Sequence, residues 1–177
     1  MIISLDDAQK IYPDITQDDL NGIERAIREE TNNPFQNRHV RFCDLRFESE
    51  NEVLIHDDVE GFRSGDTIQI SSSNWNDGLY VIDIVKGNLI KLRGEPRFFV
   101  GNQPQAYITK IEYPADIIAG VRKLLKYDAK MADKVGLKSK TVSRMSETYF
   151  DQNATESVAG YPSAMMSFLN KYRLLKW

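Results

Sequence analysis

The sequence predicts an α+β protein: a small helical bundle with an inserted antiparallel β-barrel or sandwich domain. Near the start of the chain and again in its last third, apolar residues recur at the three- and four-residue spacing of amphipathic helices. Between these stretches lie six short alternating segments separated by Gly, Asn and Asp turns. We therefore expect residues 1–37 and 113–177 to form the helical core and residues 38–112 to form the inserted β domain.

The first long helix is predicted over residues 15–33, after a short helix near Leu5. Thr16 can cap its N-terminus, and Asp19 lies three residues on, close to a capping-box pattern. Leu20, Ile23 and Ile27 form its apolar face. Asn32, Asn33 and Pro34 are predicted to end it.

The β region is predicted to contain the strands VRFCDLRF, EVLIHD, DTIQIS, LYVIDIV, LIKL and AYITKIE, with GNQPQ among the turns between them. Gly87 and Asn88 suit a tight hairpin. Cys43 alternates with apolar neighbours and is predicted to be a small core residue. Trp75 lies between two Asn residues in a turn, where it would either cover the open end of the barrel or stack on a base or sugar.

The second long helix is predicted to begin with Pro114 at its first helical position and to end at Gly136. Its apolar stripe consists of Ile117, Ile118, Val121, Leu124, Leu125 and Met131. A hydroxyl-rich segment follows at 139–153, and it is too apolar at Val142, Met145, Tyr149 and Phe150 for a free linker. A last helix, started by Pro162, is predicted to run almost to the chain end with one shared face: Met165, Phe168, Leu169, Tyr172 and Leu175.

Charge is divided unevenly along the 177 residues, although the net charge is only −3. Residues 1–60 carry fifteen Asp and Glu against six Lys and Arg, whereas residues 61–177 carry eleven against seventeen. An acidic front and a basic back favour contacts between copies of one chain, and they do not favour strong nucleic-acid binding. The alternative is two solvated faces without a partner.

The sequence has no stretch of about 18 apolar residues, so no membrane span is predicted. The single cysteine suits a reducing compartment.

The residues that could carry chemistry lack the partners that chemistry needs. No phosphate-binding or dinucleotide fingerprint occurs. A metal site at His56, Asp57, Asp58 and Glu60 is disfavoured because adjacent strand residues point to opposite faces. The serines of 139–153 have no base at motif spacing. A hydrolase using His39 or His56 and a nucleic-acid-binding module using the β domain, Trp75 and the basic helix 115–134 remain as alternatives.

The segments YPADIIAGVRKLLKYDAKMA, VGLKSKTVSRMSETYF and YPSAMMSFLNKYRLL resemble the head–tail connector, or adaptor, proteins of long-tailed bacteriophages. The likeness covers residues 113–175, including an LxxYR-like end at Leu169, Tyr172 and Arg173, and extends loosely to the N-terminal acidic helix. The β region resembles the insertion found in some members from phages of Gram-positive hosts.

This resemblance implies a structural virion protein without enzymatic activity, cofactor or metal. It implies a homo-oligomeric ring, commonly of twelve copies, that binds the portal at the head–tail junction, extends the DNA channel and receives the next head-completion or tail-terminator protein. Double-stranded DNA would pass without sequence-specific contacts, and assembly would take place in the host cytoplasm, with no membrane partner. The subunit or portal interface is then expected at Ser139, Thr141, Val142, Ser143, Met145, Ser146, Thr148, Tyr149, Tyr172, Arg173, Leu175 and Trp177, with Lys171 and Lys176 as further anchors.

Overall fold

The computed structural model describes residues 1–132, 139–142, 145–148 and 157–175. The chain divides into two compact units. We call Met1 with 34–112 the barrel unit, and 2–33 with 113–177 the helical unit. The prediction of an α+β chain containing an antiparallel barrel is confirmed, whereas the bundle arrangement of the helices remains a prediction.

The barrel unit is a closed antiparallel barrel whose neighbours follow the order β1–β2–β5–β4–β3–β6. Its strands are β1 (Gln36–Ser49), β2 (Glu52–Ile55), β3 (Thr67–Ser71), β4 (Gly78–Lys86), β5 (Leu89–Leu92) and β6 (Gly101–Ile111). The predicted hairpin at Gly87 and Asn88 is confirmed, because Lys86 pairs directly with Leu89. The interior is aliphatic and aromatic, with fully buried side chains that include Leu45, Phe47, Ile55, Ile68, Ile70, Ile82, Ile90, Leu92 and Ile108.

The prediction that Cys43 is a core residue is wrong, because the Cys43 side chain is exposed. By strict alternation Cys43 would share the buried face of Leu45 and Phe47. However, the β1–β6 register shifts between Cys43 and Leu45, and Asp44 takes a left-handed conformation with φ of 59°. This bulge turns the strand so that Phe42, and not Cys43, packs against the core.

The predicted turn GNQPQ is also wrong, since these residues begin β6. The ladder explains how a proline is tolerated there. Leu45 pairs with Gln103 and Cys43 pairs with Tyr107, so Pro104 lies in the irregular part of the register. A strand proline is acceptable at such a place because no ladder hydrogen bond requires its missing N–H.

The helical unit contains α1 (Leu5–Gln9), α2 (Gln17–Thr31), α3 (Ala115–Met131), α4 (Ser163–Met166) and a 3₁₀ helix (Ser167–Tyr172). The predicted cap of α2 is confirmed as a complete capping box between Thr16 and Asp19, and Asn32 ends the helix in the left-handed conformation. Pro114 is the N-cap of α3, one position earlier than predicted. The expected helix end at Gly136 lies outside the described residues.

The prediction of a long last helix is wrong, because α-helix stops at Met166 and the chain is extended from Arg173. The last turn of a helix leaves carbonyl groups without helical partners. The N–H of Leu174 donates to one of them, the Thr31 carbonyl of α2, at 2.8 Å. A continuing helix would use that N–H internally. Met166 and Leu169 are buried, whereas Leu175, which was predicted to share a face with Leu169, is 76% exposed.

Gly120 and Gly22 provide a matched test of packing in the helical unit. A Cβ at Gly120 would overlap the Phe168 ring, whereas a Cβ at Gly22 would meet nothing within 4 Å. Alanine favours a helix over glycine by about 1 kcal/mol, but overpacking costs roughly 1–3 kcal/mol. We expect Gly120→Ala to destabilise the protein by about 1–2 kcal/mol and Gly22→Ala to stabilise it by about 0.5–1 kcal/mol.

Urea unfolding followed by circular dichroism measures both variants. Adding Phe168→Ala to Gly120→Ala removes the overlap, so the two losses should not add. Equal stabilisation by the two alanines would contradict the packing of α3 against the 3₁₀ helix.

Candidate functional site

The hydroxyl-rich strip contains a small hairpin. Strand β7 (Ser139–Val142) pairs antiparallel with β8 (Met145–Thr148), and the register joins Ser139 to Thr148 and Val142 to Met145. Six of the predicted interface residues therefore lie in β7 and β8: Ser139, Thr141, Val142, Met145, Ser146 and Thr148. Ser143 and Tyr149 lie outside the described residues. The role of the strip at an interface remains a prediction.

The predicted C-terminal anchors are largely engaged within their own unit. The Tyr172 hydroxyl donates to Asp116 Oδ1 at 2.6 Å, and Lys171 Nζ lies 2.6 Å from Asp116 Oδ2. The hydrogen bonds from Lys171 and then Tyr172 lower the pKa of Asp116. Arg173 forms an ion pair with Glu30. These contacts tie the C-terminal segment to the start of α3 and the end of α2.

Two asparagines complete this attachment through the backbone. Asn33 Nδ2 donates to the Tyr172 carbonyl and Asn32 Nδ2 to the Leu175 carbonyl, both at 3.1 Å. The backbone is therefore held while the side chains of Leu174 and Leu175 remain exposed. Of the predicted anchors, Leu175 offers apolar surface, and Trp177 and Lys176 lie outside the described residues.

An acidic groove of about 480 Å³ lies in the helical unit. It is bordered by α2, the end of α3 and the turn between β9 (Ser157–Val158) and β10 (Tyr161–Pro162). Three carboxylates, those of Asp18, Asp19 and Asp128, line it together with apolar side chains that include Ile15, Ile23, Ala26 and Met131.

Asp128 is a half-buried carboxylate of the groove. Burial raises its pKa, opposed by the hydrogen bond that the Tyr161 hydroxyl donates at 2.6 Å, and the charge of Asp19 adds to the rise. The Tyr161 ring meets the Tyr127 ring at 6.2 Å. Cationic groups that entered the groove would lower the cost of the clustered negative charge. Sequence inspection missed Asp128 and Tyr161 because they are 33 residues apart and belong to no motif.

An aromatic patch lies on the barrel unit, formed by Trp75, Phe99 and Val100. Trp75 is 75% exposed and Phe99 64% exposed, with ring centroids 6.0 Å apart. Both alternatives for Trp75, a cover over the barrel end and a stacking surface, place its ring at the outside of the barrel, and both remain predictions. Phe98, the neighbour of Phe99, packs against Phe47 and Tyr80 in the interior.

The loop that carries Trp75 is held by its own hydrogen bonds. Asn76 is buried, and its amide makes two bonds to Phe99: Nδ2 donates to the carbonyl and the Phe99 N–H donates to Oδ1, both at 2.9 Å. Asp77 accepts from the backbone N–H groups of Ser72 and Ser73. Desolvation opposes ionisation of Asp77, but the hydrogen bonds from Ser73 and Ser72 outweigh it and lower its pKa. The patch is therefore a fixed surface.

The histidines give no support to a hydrolase. His39 and His56 are both exposed, and neither has a catalytic partner within hydrogen-bond distance in the described part of the chain. Within those same ranges, no three His, Cys, Asp or Glu side chains are grouped to hold a metal ion.

No helix among the described residues has the length and apolar character needed to cross a membrane. No family model matches the chain, and no curated protein matches it.

Removing the Asn76 amide tests whether it fixes the aromatic patch. Asn76→Ala leaves the N–H and carbonyl of Phe99 without their partner, and a buried unsatisfied group costs about 1–3 kcal/mol. Because Phe99 is partly exposed, water will compensate in part, and we expect a loss of about 2 kcal/mol. Urea unfolding gives the stability, and hydrogen exchange at 72–77 and 97–100 gives the local effect.

Asn102→Ala is the matched control, because Asn102 is an exposed asparagine of the same barrel. It should change the free energy of unfolding by less than about 0.5 kcal/mol. Unchanged exchange in the Trp75 loop of Asn76→Ala would contradict the assigned role.

Proposed function

We propose that this chain is a structural phage protein that forms a ring at the head–tail junction, where it binds the portal and extends the DNA channel. The observation that carries the proposal is the acidic groove of the helical unit. A closed ring needs a heterologous interface, in which each subunit offers two different and complementary surfaces. The groove supplies an acidic, partly apolar receiving surface of this kind.

The surface that fits the groove is a basic strip, residues 134–146, which overlaps the start of the hydroxyl-rich segment 139–153. Residues 134–146 contain four Lys and Arg residues and no Asp or Glu, interspersed with Val135, Leu137 and Val142. This mixture of cationic and apolar residues matches a groove that mixes carboxylates with Ile23 and Met131. Opposite charge across an interface guides association and sets its register more than it adds affinity. The strip of one subunit would then dock on its neighbour.

The nucleic-acid-binding alternative has weaker support. Residues 34–112 carry nine Lys and Arg against twelve Asp and Glu, so the barrel unit is net acidic. Binding to the phosphate backbone depends on neutralisation by basic side chains. An acidic barrel with one exposed tryptophan lacks that term, and the helix 115–134 of the same alternative carries five Lys and Arg against three Asp and Glu, a net charge of only +2. Weak contacts in a DNA channel are compatible with the proposed ring, because DNA must pass through it.

Electron microscopy of the purified protein, with and without the portal protein of the same phage, tests the proposal. We expect a ring of one fixed size on the portal. A variant lacking 139–150 should keep both units folded, because β7 and β8 pair with each other in a sheet of their own, but it should fail to assemble on the portal. Normal ring assembly by the deletion variant would refute the role of the strip, and absence of any ring with wild-type protein would refute the proposed function.

Reversing one charge in the groove tests the electrostatic part of the proposal. Asp18 lines the groove, and its carboxylate lies outside the Thr16–Asp19 capping box. We expect Asp18→Lys to raise the protein concentration for half-maximal ring formation by about tenfold, because it places a cation where the basic strip docks.

Asp14→Lys is the control, since Asp14 is exposed and does not line the groove. It makes the same change of charge and should leave assembly within about twofold of wild type. Equal defects in the two variants would show that net charge, and not the groove, controls assembly.

A further inference from the structure

We propose that the aromatic patch of the barrel unit is a self-association surface, through which the barrel units of two copies pair in a two-fold contact. The inference rests on the barrel unit alone and does not depend on the proposed ring. Its starting observation is that Trp75, Phe99 and Val100 are exposed side by side on a loop pair fixed by the Asn76 amide.

The exposed area of the patch matches that of the apolar centre of a protein–protein interface. Aromatic side chains offer roughly 150–250 Å² each, so the exposed parts of Trp75, Phe99 and Val100 amount to about 300–400 Å². Patches of about 300–600 Å² are the largest on typical monomers and are often functional. A standard interface buries about 800 Å² per partner. The patch would therefore supply the apolar centre, and polar residues around it would supply the rest.

The charged residues beside the patch indicate a second copy as the partner. Arg93, Glu95 and Arg97 are exposed and alternate in sign on the segment that leads to Phe99. Among the described residues, none of the three forms an ion pair. A two-fold axis brings the same segment of both copies together. Glu95 of one copy can then pair with Arg97 of the other, so the surface is self-complementary.

Other occupants fit the same surface less well. A sugar that stacks on Trp75 needs hydrogen-bonding side chains beside the ring; the Asn76 amide is committed to Phe99 and the Asp77 carboxylate to Ser72 and Ser73, which leaves the exposed Asn74 for that role. A nucleic acid would meet a net acidic unit. A hot spot built from tryptophan at the centre of a protein interface agrees with the general pattern of such interfaces.

Analytical ultracentrifugation of the full chain tests the proposal. Wild-type protein should show reversible self-association over concentrations from about 1 µM to about 300 µM. Trp75→Ser should weaken the dissociation constant at least about 30-fold. The control is Ile84→Ser, a change at another apolar side chain of the barrel that is 48% exposed; it should stay within about twofold of wild type. Circular dichroism verifies that both variants are folded.

A charge exchange tests the two-fold pairing itself. Glu95→Arg and Arg97→Glu should each weaken self-association, and the double variant should restore it, because the pair between copies is rebuilt with its signs exchanged. Asp18→Lys changes the acidic groove of the helical unit and should leave this dimer intact. The proposed ring and the proposed barrel contact can therefore be refuted independently of each other.

Three results would overturn the inference. One is self-association of Trp75→Ser equal to wild type. Another is a wild-type protein that sediments as a monomer over the whole concentration range. The last is quenching of Trp75 fluorescence by an oligosaccharide or a single-stranded oligonucleotide, in a Trp177→Phe background, without any self-association; the patch would then serve that other class of ligand.

Discussion

The terminal backbone groups of α2 are the constraint on which the helical unit depends. At the N-terminus the Thr16–Asp19 capping box satisfies the N–H groups of Thr16 and Asp19. At the other end the Thr31 carbonyl accepts from Leu174. A Leu174 N–H used in this way is not available to a continuing helix, and the chain is extended at Arg173. The end of one helix is thus satisfied by a part of the chain that lies 143 positions later.

In the barrel unit, the backbone groups of the strands are satisfied by closure, since a closed sheet has no unpaired edge strand. Closure makes β1 pair on both sides, with β2 and with β6. The bulge at Asp44 lets this long strand turn while it keeps Phe42 and Leu45 against the same interior. Phe98 and its neighbours fill the interior, and Trp75 and Phe99 are exposed outside it. The barrel therefore combines a filled interior with an aromatic patch exposed on its outside.

Much of the fold was predictable because it follows from local rules. Three features can each be predicted from a few neighbouring residues: the α2 cap, the Gly87–Asn88 hairpin and the change from helical to alternating spacing. Cys43, Pro104 and Leu175 were misplaced because their positions depend on a bulge, a ladder irregularity and a tertiary hydrogen bond. The groove escaped prediction for the same reason: Asp18, Asp128 and Tyr161 meet only after folding, whereas Trp75 was visible as a tryptophan in a turn.

The two ends of the barrel unit lie next to each other. The Glu112 N–H donates to the Phe35 carbonyl at 2.9 Å, and Gln36 pairs with Ile111. Paired strand residues are separated by about 5 Å, a gap that two or three residues of chain can bridge. A gene could therefore acquire or lose the barrel as a cassette, by one insertion or deletion between Asn33 and Tyr113.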